Sequence, residues 1–328
     1  MTKLDELMRY IHNSHVYIQM HNFPDQDAIA SAMGLQYLLK AKGKSATIIY
    51  HGIIDKENTL MMIYILNIEL KPVETIQFKE NDEIILVDGQ KGNMNMHGTS
   101  ANVIACIDHH KKQETDCYLF YDIPAGIGAC SSIIASYYKE NNIELPVNVA
   151  TALVYGQRID TTYLTRNASE LDIDMFYFLY KVANQNQLRR FDTSTMNVNN
   201  LLNYQNAISN LRIYGDIGIS NVGNDCSEAM IGSISDFLLT LSEIDFTLLY
   251  SYRAGGLKFS IRSTRETIDV SNVINTALQG YGEGGGHYDM AAGFIPNIAT
   301  EYEAMEIAKI IEQRVIDLIN SQMKVHKF

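Results

Sequence analysis

Asn102-Val-Ile-Ala-Cys-Ile107 runs directly into Asp108-His109-His110, and this junction decides how the first half of the chain is read. The apolar, β-branched run has the composition of a buried strand. An acid and two imidazoles at its carboxyl end are chemistry placed where a strand stops.

The same arrangement recurs upstream. His15-Val-Tyr-Ile-Gln-Met20 reads as a strand and leads into His21-Asn-Phe-Pro-Asp25-Gln-Asp27, after which a helical spacing of apolar residues extends from Asp27 to Lys42. Glu83-Ile-Ile-Leu-Val87 ends in Asp88-Gly89 in the same manner. Near-continuous apolar strands of this kind belong to parallel sheets, for which helices on both faces are expected. Ligands in such sheets bind outside the carboxyl ends of the strands, where all three acidic groups fall. A fourth acid, Asp160, follows the helical stretch Val147 to Gln157 and precedes the hydroxyl-rich Thr161-Thr-Tyr-Leu-Thr165.

His21, Asp25, Asp27, Asp88 and His109 offer the mixture of carboxylate and imidazole that suits Mn, Co or Zn, while carboxylates alone suit Mg. Several carboxylates converging without cations repel one another, and two divalent ions neutralise four of them. Each acid alone has an ordinary reading as a helix cap or turn residue. Their joint occurrence at successive element ends is what points to a metal centre.

The C-terminal part has a different texture. Phe246-Thr-Leu-Leu-Tyr-Ser-Tyr252 and Leu257-Lys-Phe-Ser-Ile-Arg262, joined by Arg253-Ala-Gly-Gly256, read as a hairpin with Arg262-Ser263 emerging at its end. Gly284-Gly285-Gly286-His287 opens a segment closing in Ala291-Ala-Gly293. Consecutive glycines let a backbone approach a ligand closely and present N–H groups to phosphate oxygens, with His287 placed to hydrogen bond the same group. A final helix is expected from Thr300 to Met323. The expected domains are 1–184 and 212–328, with 185–211 as a polar linker continuing into a connecting helix.

Composition narrows the function classes. The chain has 328 residues, 46% of them hydrophobic, enough for two cores. No apolar stretch approaches a membrane span, and Met1-Thr-Lys-Leu-Asp-Glu is too polar for a secretory signal, so a cytoplasmic protein without a membrane partner is expected. Cys106, Cys117, Cys130 and Cys226 form no CxxC pair and read as reduced core thiols. A net charge of −12 disfavours long duplex nucleic acid, which needs an extended basic surface. Arg253, Lys258, Arg262 and Arg265 still allow capture of a small anion.

Taken in order, His21-x3-Asp25-x-Asp27, Asp88, Asp108-His109-His110, Asp160 and Gly284-Gly-Gly-His287 resemble the motif series of the DHH phosphoesterases that carry the DHH-associated C-terminal domain. The resemblance implies an α/β fold: a parallel-sheet catalytic domain and a smaller α/β domain with a mixed sheet, with the active-site cleft between them. It implies one metal on His21, Asp25 and Asp88, a second on Asp27, Asp88, His109 and Asp160, and Mn as the leading ion, with Mg or Co as alternatives. Asp108 is then an orienting group and His110 faces the substrate phosphate or leaving group. Arg262, Ser263, Gly284, Gly285, Gly286 and His287 become substrate-binding residues. Gln26, Ala30 and Gln157-Arg158 depart from the usual family pattern and bear on substrate fit more than on the metals.

The implied reaction is two-metal hydrolysis of short oligoribonucleotides, of linear dinucleotides such as pApA, or of pAp. A small nucleotide or short single-stranded RNA would be the substrate, and a homodimer stays open. Two alternatives stand beside it: a manganese pyrophosphatase or exopolyphosphatase sharing the N-terminal domain, and a nucleotide-binding protein without catalysis.

Overall fold

The structure, a computed structural model, describes the chain apart from residues 94, 114–116, 194, 195, 197, 254 and 326–328. It divides into two compact units, Met1–Thr195 and Met196–Phe328.

The first unit runs α1 (Lys3–Met8), β1 (His15–Gln19), α2 (Gln26–Ala41), β2 (Ser45–Tyr50), α3 (Glu57–Leu66), β3 (Leu70–Pro72), β4 (Glu83–Val87), β5 (Asn102–Ile107) and β6 (Phe120–Asp122). Four helices follow: α4 (Cys130–Asn141), α5 (Val147–Asp160), α6 (Glu170–Tyr180) and α7 (Gln185–Thr193). Its strands form one parallel sheet in the order β3-β2-β1-β4-β5-β6. Between β1 and β4 the order reverses direction. In parallel α/β sheets the carboxyl ends of the strands at such a reversal are where ligands bind.

Alternation along the strands supplies two buried faces. Val16, Ile18, Ile85, Val87 and Ile107 join the main core with residues of α1 to α7. Ile84, Leu86 and Cys106 point the other way, into a smaller cluster closed by Tyr17, Phe78, Met96, Tyr118 and Ile123. Helices on both faces were expected. Among the described residues the helices lie with the main core, and loop side chains close the second face. The reason lies in the connections β3 to β4, β4 to β5 and β5 to β6, whose described residues contain no α-helix.

Close helix packing sets the frame of this unit. A Cβ at Gly34 of α2 would stand 2.7 Å from Ile134 Cγ2 of α4 and 3.1 Å from a Leu153 methyl of α5. The three helices are therefore in near-backbone contact, and substitutions here strain a packed interior.

The second unit comprises α8 (Val198–Ser209), β7 (Arg212–Tyr214), β8 (Ile217–Asn224), α9 (Glu228–Leu238), β9 (Phe246–Arg253), β10 (Gly255–Ser263), α10 (Val270–Leu278), β11 (Glu283–Gly286), β12 (Met290–Ile298) and α11 (Glu301–Val325). Its sheet is mixed, in the order β11-β12-β10-β9-β8-β7, with β8 and β9 parallel and the other neighbours antiparallel. β9 and β10 form the expected hairpin, with Ala254 of its turn outside the described residues.

The stretch 185–211, expected as a polar linker continuing into a connecting helix, contains α7 and α8, and its residues 194, 195 and 197 lie outside the described ones. Leu188 and Phe191 of α7 are buried in the first unit's core, and Ala207 of α8 is buried in the second unit. Cys106, Cys130 and Cys226 are buried thiols, but Cys117 is exposed rather than in a core. Among the described residues no helix is long and apolar enough to cross a membrane.

Candidate metal centre

Each acidic group is delivered by the end of an element. Asp25 is the N-cap of α2, its Oδ1 accepting from the backbone N–H groups of Asp27 and Ala28 at 3.0 and 3.1 Å. Asp27, in the first turn of α2, turns its carboxylate onto the start of α4. Its oxygens accept from Cys130 N–H at 2.7 Å and Ser131 N–H at 3.0 Å. Asp88 leaves β4 with φ +58 and sends its N–H to Ile107 O at 2.9 Å, tying the ends of β4 and β5 together.

Asp160 is the last residue of α5, three residues beyond the end read from sequence. The chain then takes a left-handed path through Thr162, Tyr163 and Leu164 (φ +47, +58 and +65). Such non-glycine conformations cost on the order of 1–3 kcal/mol each and persist only where the surroundings over-determine them. Tyr163 N–H bonds to Arg158 O at 2.6 Å, Arg166 N–H to Thr161 O at 2.9 Å, and the Arg166 guanidinium to Asp160 O at 3.1 Å. Gly156 brings this helix end to the cluster, since a Cβ there would meet Asp27 Cα at 2.9 Å.

Three groups of ligand-type atoms result, each with its members within 4.8 Å of one another: His21, Asp25 and Asp88; Asp27, His109 and Asp160; and Asp88, Asp108, His109 and His110, which overlaps the first through Asp88 and the second through His109. His21 Nε2 lies 3.8 Å from Asp25 Oδ1 and 3.6 Å from Asp88 Oδ2. His109 Nε2 lies 3.3 Å from Asp88 Oδ1 and 3.2 Å from Asp160 Oδ2. Asp88 thus stands between the first two groups. Both imidazoles are anchored from behind, His21 Nδ1 to Asn22 O at 2.8 Å and His109 Nδ1 to Ile127 O at 3.1 Å. With Nδ1 donating to a carbonyl, each Nε2 is turned toward the carboxylates, and on losing its proton it offers the lone pair that metal-ligating histidines use.

The cluster's electrostatics fit a cation. Asp88 Oδ1 and His109 Nε2 are buried with no hydrogen-bond partner among the described residues, a costly condition that an ion shared between them relieves. Burial, followed by the charges of Asp88 and Asp160, drives the Asp27 carboxyl well above the usual range. Burial and the charges of Asp25 and Asp88 push Asp160 up to about 6. Burial works against the His21 and His109 imidazolium ions, yet the neighbouring carboxylates raise them to about 10 and about 11. Protons collect where cationic charge is missing. A divalent ion on His21, Asp25 and Asp88 and another on Asp27, His109 and Asp160 would replace them, and manganese suits this donor set.

Asp108 does a different job. It is fully buried, with Oδ1 accepting from His110 Nδ1 at 2.8 Å and from the N–H groups of His109 and His110 at 2.8 and 3.3 Å. Oδ2 accepts from Gln90 Nε2 at 2.6 Å. Its lone pairs are taken, so it holds the His110 ring rather than an ion. Asp108 in turn raises His110 above the ordinary imidazole value, while burial opposes this. His110 is half exposed, its ring centroid 4.2 Å from that of His109. Gln90 and Gly156 went unread in the sequence. Gln90 had one signal, its place two residues after Asp88, but only the fold shows what it reaches.

The structure keeps the candidate substrate residues within the second unit. Arg262 bonds through Nε to Asp236 Oδ1 at 3.2 Å and through a terminal nitrogen to Ile261 O at 3.0 Å. Ser263 Oγ donates to Asp245 O at 3.1 Å and accepts from Arg265 N–H at 3.1 Å. Gly284, Gly285 and Gly286 form β11, paired with Gly293, Ala292 and Ala291 of β12, rather than a loop. A Cβ at Gly293 would stand 2.4 Å from Leu278 Cδ1, and one at Gly284 3.0 Å from Ile274 Cγ1, so these two glycines admit α10 onto the sheet. Gly285 has nothing within 4 Å of its would-be Cβ, and His287, at the turn, is exposed.

A parallel sheet with two acid and imidazole groups at its switch point, joined to a mixed-sheet unit, defines a class of two-domain metal proteins. The DHH family N-terminal domain matches residues 15–157 and the DHHA1 domain residues 215–317. The chain belongs to the DHH family with the DHH-associated C-terminal domain.

Relatives divide by how much of the chain they share. A probable manganese-dependent inorganic pyrophosphatase of Enterococcus faecalis is 30% identical over 177 residues, 53% of this chain and 57% of that protein. The cyclic-di-AMP phosphodiesterase GdpP of Bacillus subtilis is 25% identical over 328 aligned residues, 92% of this chain and 47% of that protein. The chain thus spans about half the length of these curated relatives. An exopolyphosphatase-related protein from Bacteroides fragilis shares the fold, with a TM-score of 0.73 at 17% identity, covering 96% of this chain and 97% of that one.

Proposed function

We propose that this protein is a metal-dependent phosphoesterase that hydrolyses short oligoribonucleotides, linear dinucleotides such as pApA, or pAp. The observation that carries the reading is the pair of ligand groups divided by Asp88, with the His110 ring held beside them by Asp108. His21, Asp25 and Asp88 would hold one ion, and Asp27, Asp88, His109 and Asp160 the other. When bound, two divalent cations supply Lewis-acid charge for the phosphoryl oxygens and acidify an attacking water.

The chain's own groups supply the rest. Asp108 holds His110 through Nδ1 and favours its protonated form, which leaves Nε2–H free to donate to a phosphoryl or leaving-group oxygen. Asn22 O and Ile127 O fix the rings of His21 and His109, so no reorientation is needed when substrate arrives. Arg262, Ser263, the glycines of β11 and His287 are the proposed recognition groups for the remainder of the substrate.

One relative whose similarity runs through both units is named for a cyclic dinucleotide, which supports a nucleotide substrate. The pyrophosphatase similarity, confined to about half of the chain, favours the second reading, an inorganic pyrophosphatase or exopolyphosphatase. Release of phosphate or nucleoside monophosphate is to be measured from pAp, pApA, short RNA, cyclic di-AMP and pyrophosphate, each with Mn and with Mg. Turnover of pApA or pAp above that of pyrophosphate is expected. The reverse order would replace this reading with the second one.

A further inference from the structure

Phe23 stands between two members of the metal cluster, two residues from His21 and two from Asp25, in a conformation that its residue type disfavours. Its φ is +55, a region open to glycine and tolerated by asparagine but strained for an aromatic side chain. The residue is also 63% exposed. Isolated exposed apolar residues are ordinary on protein surfaces. An exposed ring on a strained backbone carries two costs at one position.

The strain is held from several sides. Phe23 N–H bonds to His51 O at 2.8 Å, and Asn22 N–H bonds to Asn95 O at 2.6 Å. Asn22 Oδ1 accepts from His97 N–H at 2.9 Å. The His51 and His97 rings stack with centroids 4.3 Å apart, and Glu74 bonds to His51. Gly52 completes the seat: a Cβ there would fall 2.6 Å from Phe23 Cδ1, so the ring lies directly on the Gly52 backbone. Tyr163 makes the contrast. It too is exposed, left-handed and close in sequence to a cluster residue, but its hydroxyl donates to Asp192 at 2.9 Å and its ring lies under the Arg158 guanidinium. Contacts within the unit account for Tyr163. For Phe23 they account for the seat and leave most of the ring to solvent.

We infer that Phe23 is a base-stacking residue: the nucleobase of a nucleotide flanking the scissile phosphate lies on its exposed ring. A flat apolar surface on the segment that joins two of the candidate metal ligands suits a nucleotide and offers nothing to pyrophosphate or polyphosphate, which have no aromatic face. Stacking is tolerant of base identity, since every base has a π face. Phe23 would therefore set preference for nucleotides as a class rather than for one sequence. This inference rests on the phosphoesterase reading above and names the feature of the substrate that the first unit itself recognises.

The test compares pApA with the same linear dinucleotide carrying an abasic residue beside the scissile phosphate, for the native protein and for Phe23→Leu, Phe23→Tyr and Phe23→Ala. Leucine keeps size and apolarity without the aromatic face. For Phe23→Leu and Phe23→Ala the ratio of kcat/KM for pApA to that for the abasic analogue is expected to fall about 10- to 100-fold, mostly through KM. Phe23→Tyr is expected to hold the ratio. A parallel titration follows AMP binding to each Mn-loaded protein. An unchanged ratio and unchanged AMP affinity in Phe23→Leu would overturn the inference while leaving the phosphoesterase reading intact. A native protein that turns over neither dinucleotide, but loses AMP affinity in Phe23→Leu, would overturn that reading and leave stacking standing.

Discussion

Gln90 donates from Nε2 to Asp108 Oδ2 at 2.6 Å, and both side chains are fully buried. The bond links the loop after β4 to the end of β5 and completes a relay from Gln90 through Asp108 to His110. Gln90 Oε1 accepts from Gln113 N–H at 2.8 Å, so the amide is oriented from both ends.

Gln90→Ala should leave one oxygen of a buried carboxylate without its donor. A loss of about 1–3 kcal/mol in stability is expected, because an unsatisfied buried group carries its full desolvation cost. Turnover should fall about tenfold as Asp108 loosens its hold on His110. Asp108→Asn should lower turnover further and move the alkaline limb of the kcat profile to lower pH, since the Asp108 bond is what raises His110. Denaturant melts and pH–rate profiles check both. A Gln90→Ala protein with native stability and native kcat would show that the relay does nothing.

Metal removal and pH should act together. Asp160, raised to about 6, and His21 and His109, raised to about 10 and about 11, all favour the protonated folded form. Groups raised on folding contribute stability at low pH that is lost as pH climbs through the folded value. The metal-free protein should therefore melt lower at pH 8.5 than at pH 6. Metal binding requires neutral imidazole and ionised carboxylate, so it releases protons and strengthens with pH. The gap between Mn-loaded and chelated melting temperatures should widen from pH 6 to 8.5. At about 1,000 times the dissociation constant Mn should add about 4 kcal/mol. Thermal melts with Mn and with EDTA at both pH values decide this.

Asp88→Asn and Asp27→Ala should separate. Asp88→Asn removes one charge from between the two groups, so Mn binding should be lost; in the metal-free protein it removes repulsion toward Asp27 and Asp160 together with attraction to His21 and His109, so melting should shift little. Asp27 also accepts from the N–H groups of Cys130 and Ser131, so Asp27→Ala additionally strips the start of α4 of its acceptor. That loss should cost about 1–2 kcal/mol even without metal. Melting in EDTA and Mn titration read the two effects separately.

The glycines of the second unit should divide by space. Gly293→Val drives side-chain atoms into Leu278 and should destabilise that unit by about 1–3 kcal/mol. Gly285→Ala meets nothing within 4 Å and should melt as the native protein does. An increase in KM for pApA in Gly285→Ala would then report close approach of substrate to β11. An unchanged KM would remove Gly285 from the recognition groups.

Sequence alone carried the parallel sheet and the acids and imidazoles at its strand ends, because strand chemistry and strand-end chemistry are local. An apolar run followed by an acid reads the same in any context. It was also sufficient to place His21, Asp25, Asp27, Asp88, Asp108, His109 and Asp160 in one series. Packing decided the rest. Loops rather than helices close the second sheet face because the described residues of three connections contain no α-helix. Glycine pairing across β11 and β12 shows that Gly284 and Gly293 make room for α10, a contact no spacing rule reveals. The shared position of Asp88, the closed bonding of Asp108 and the approach of Asp160 through Gly156 depend on distances between segments far apart in the chain. Those distances exist only once helices α2, α4 and α5 have packed, and so the sequence determined which chemical groups are present while the tertiary structure decided which of them meet.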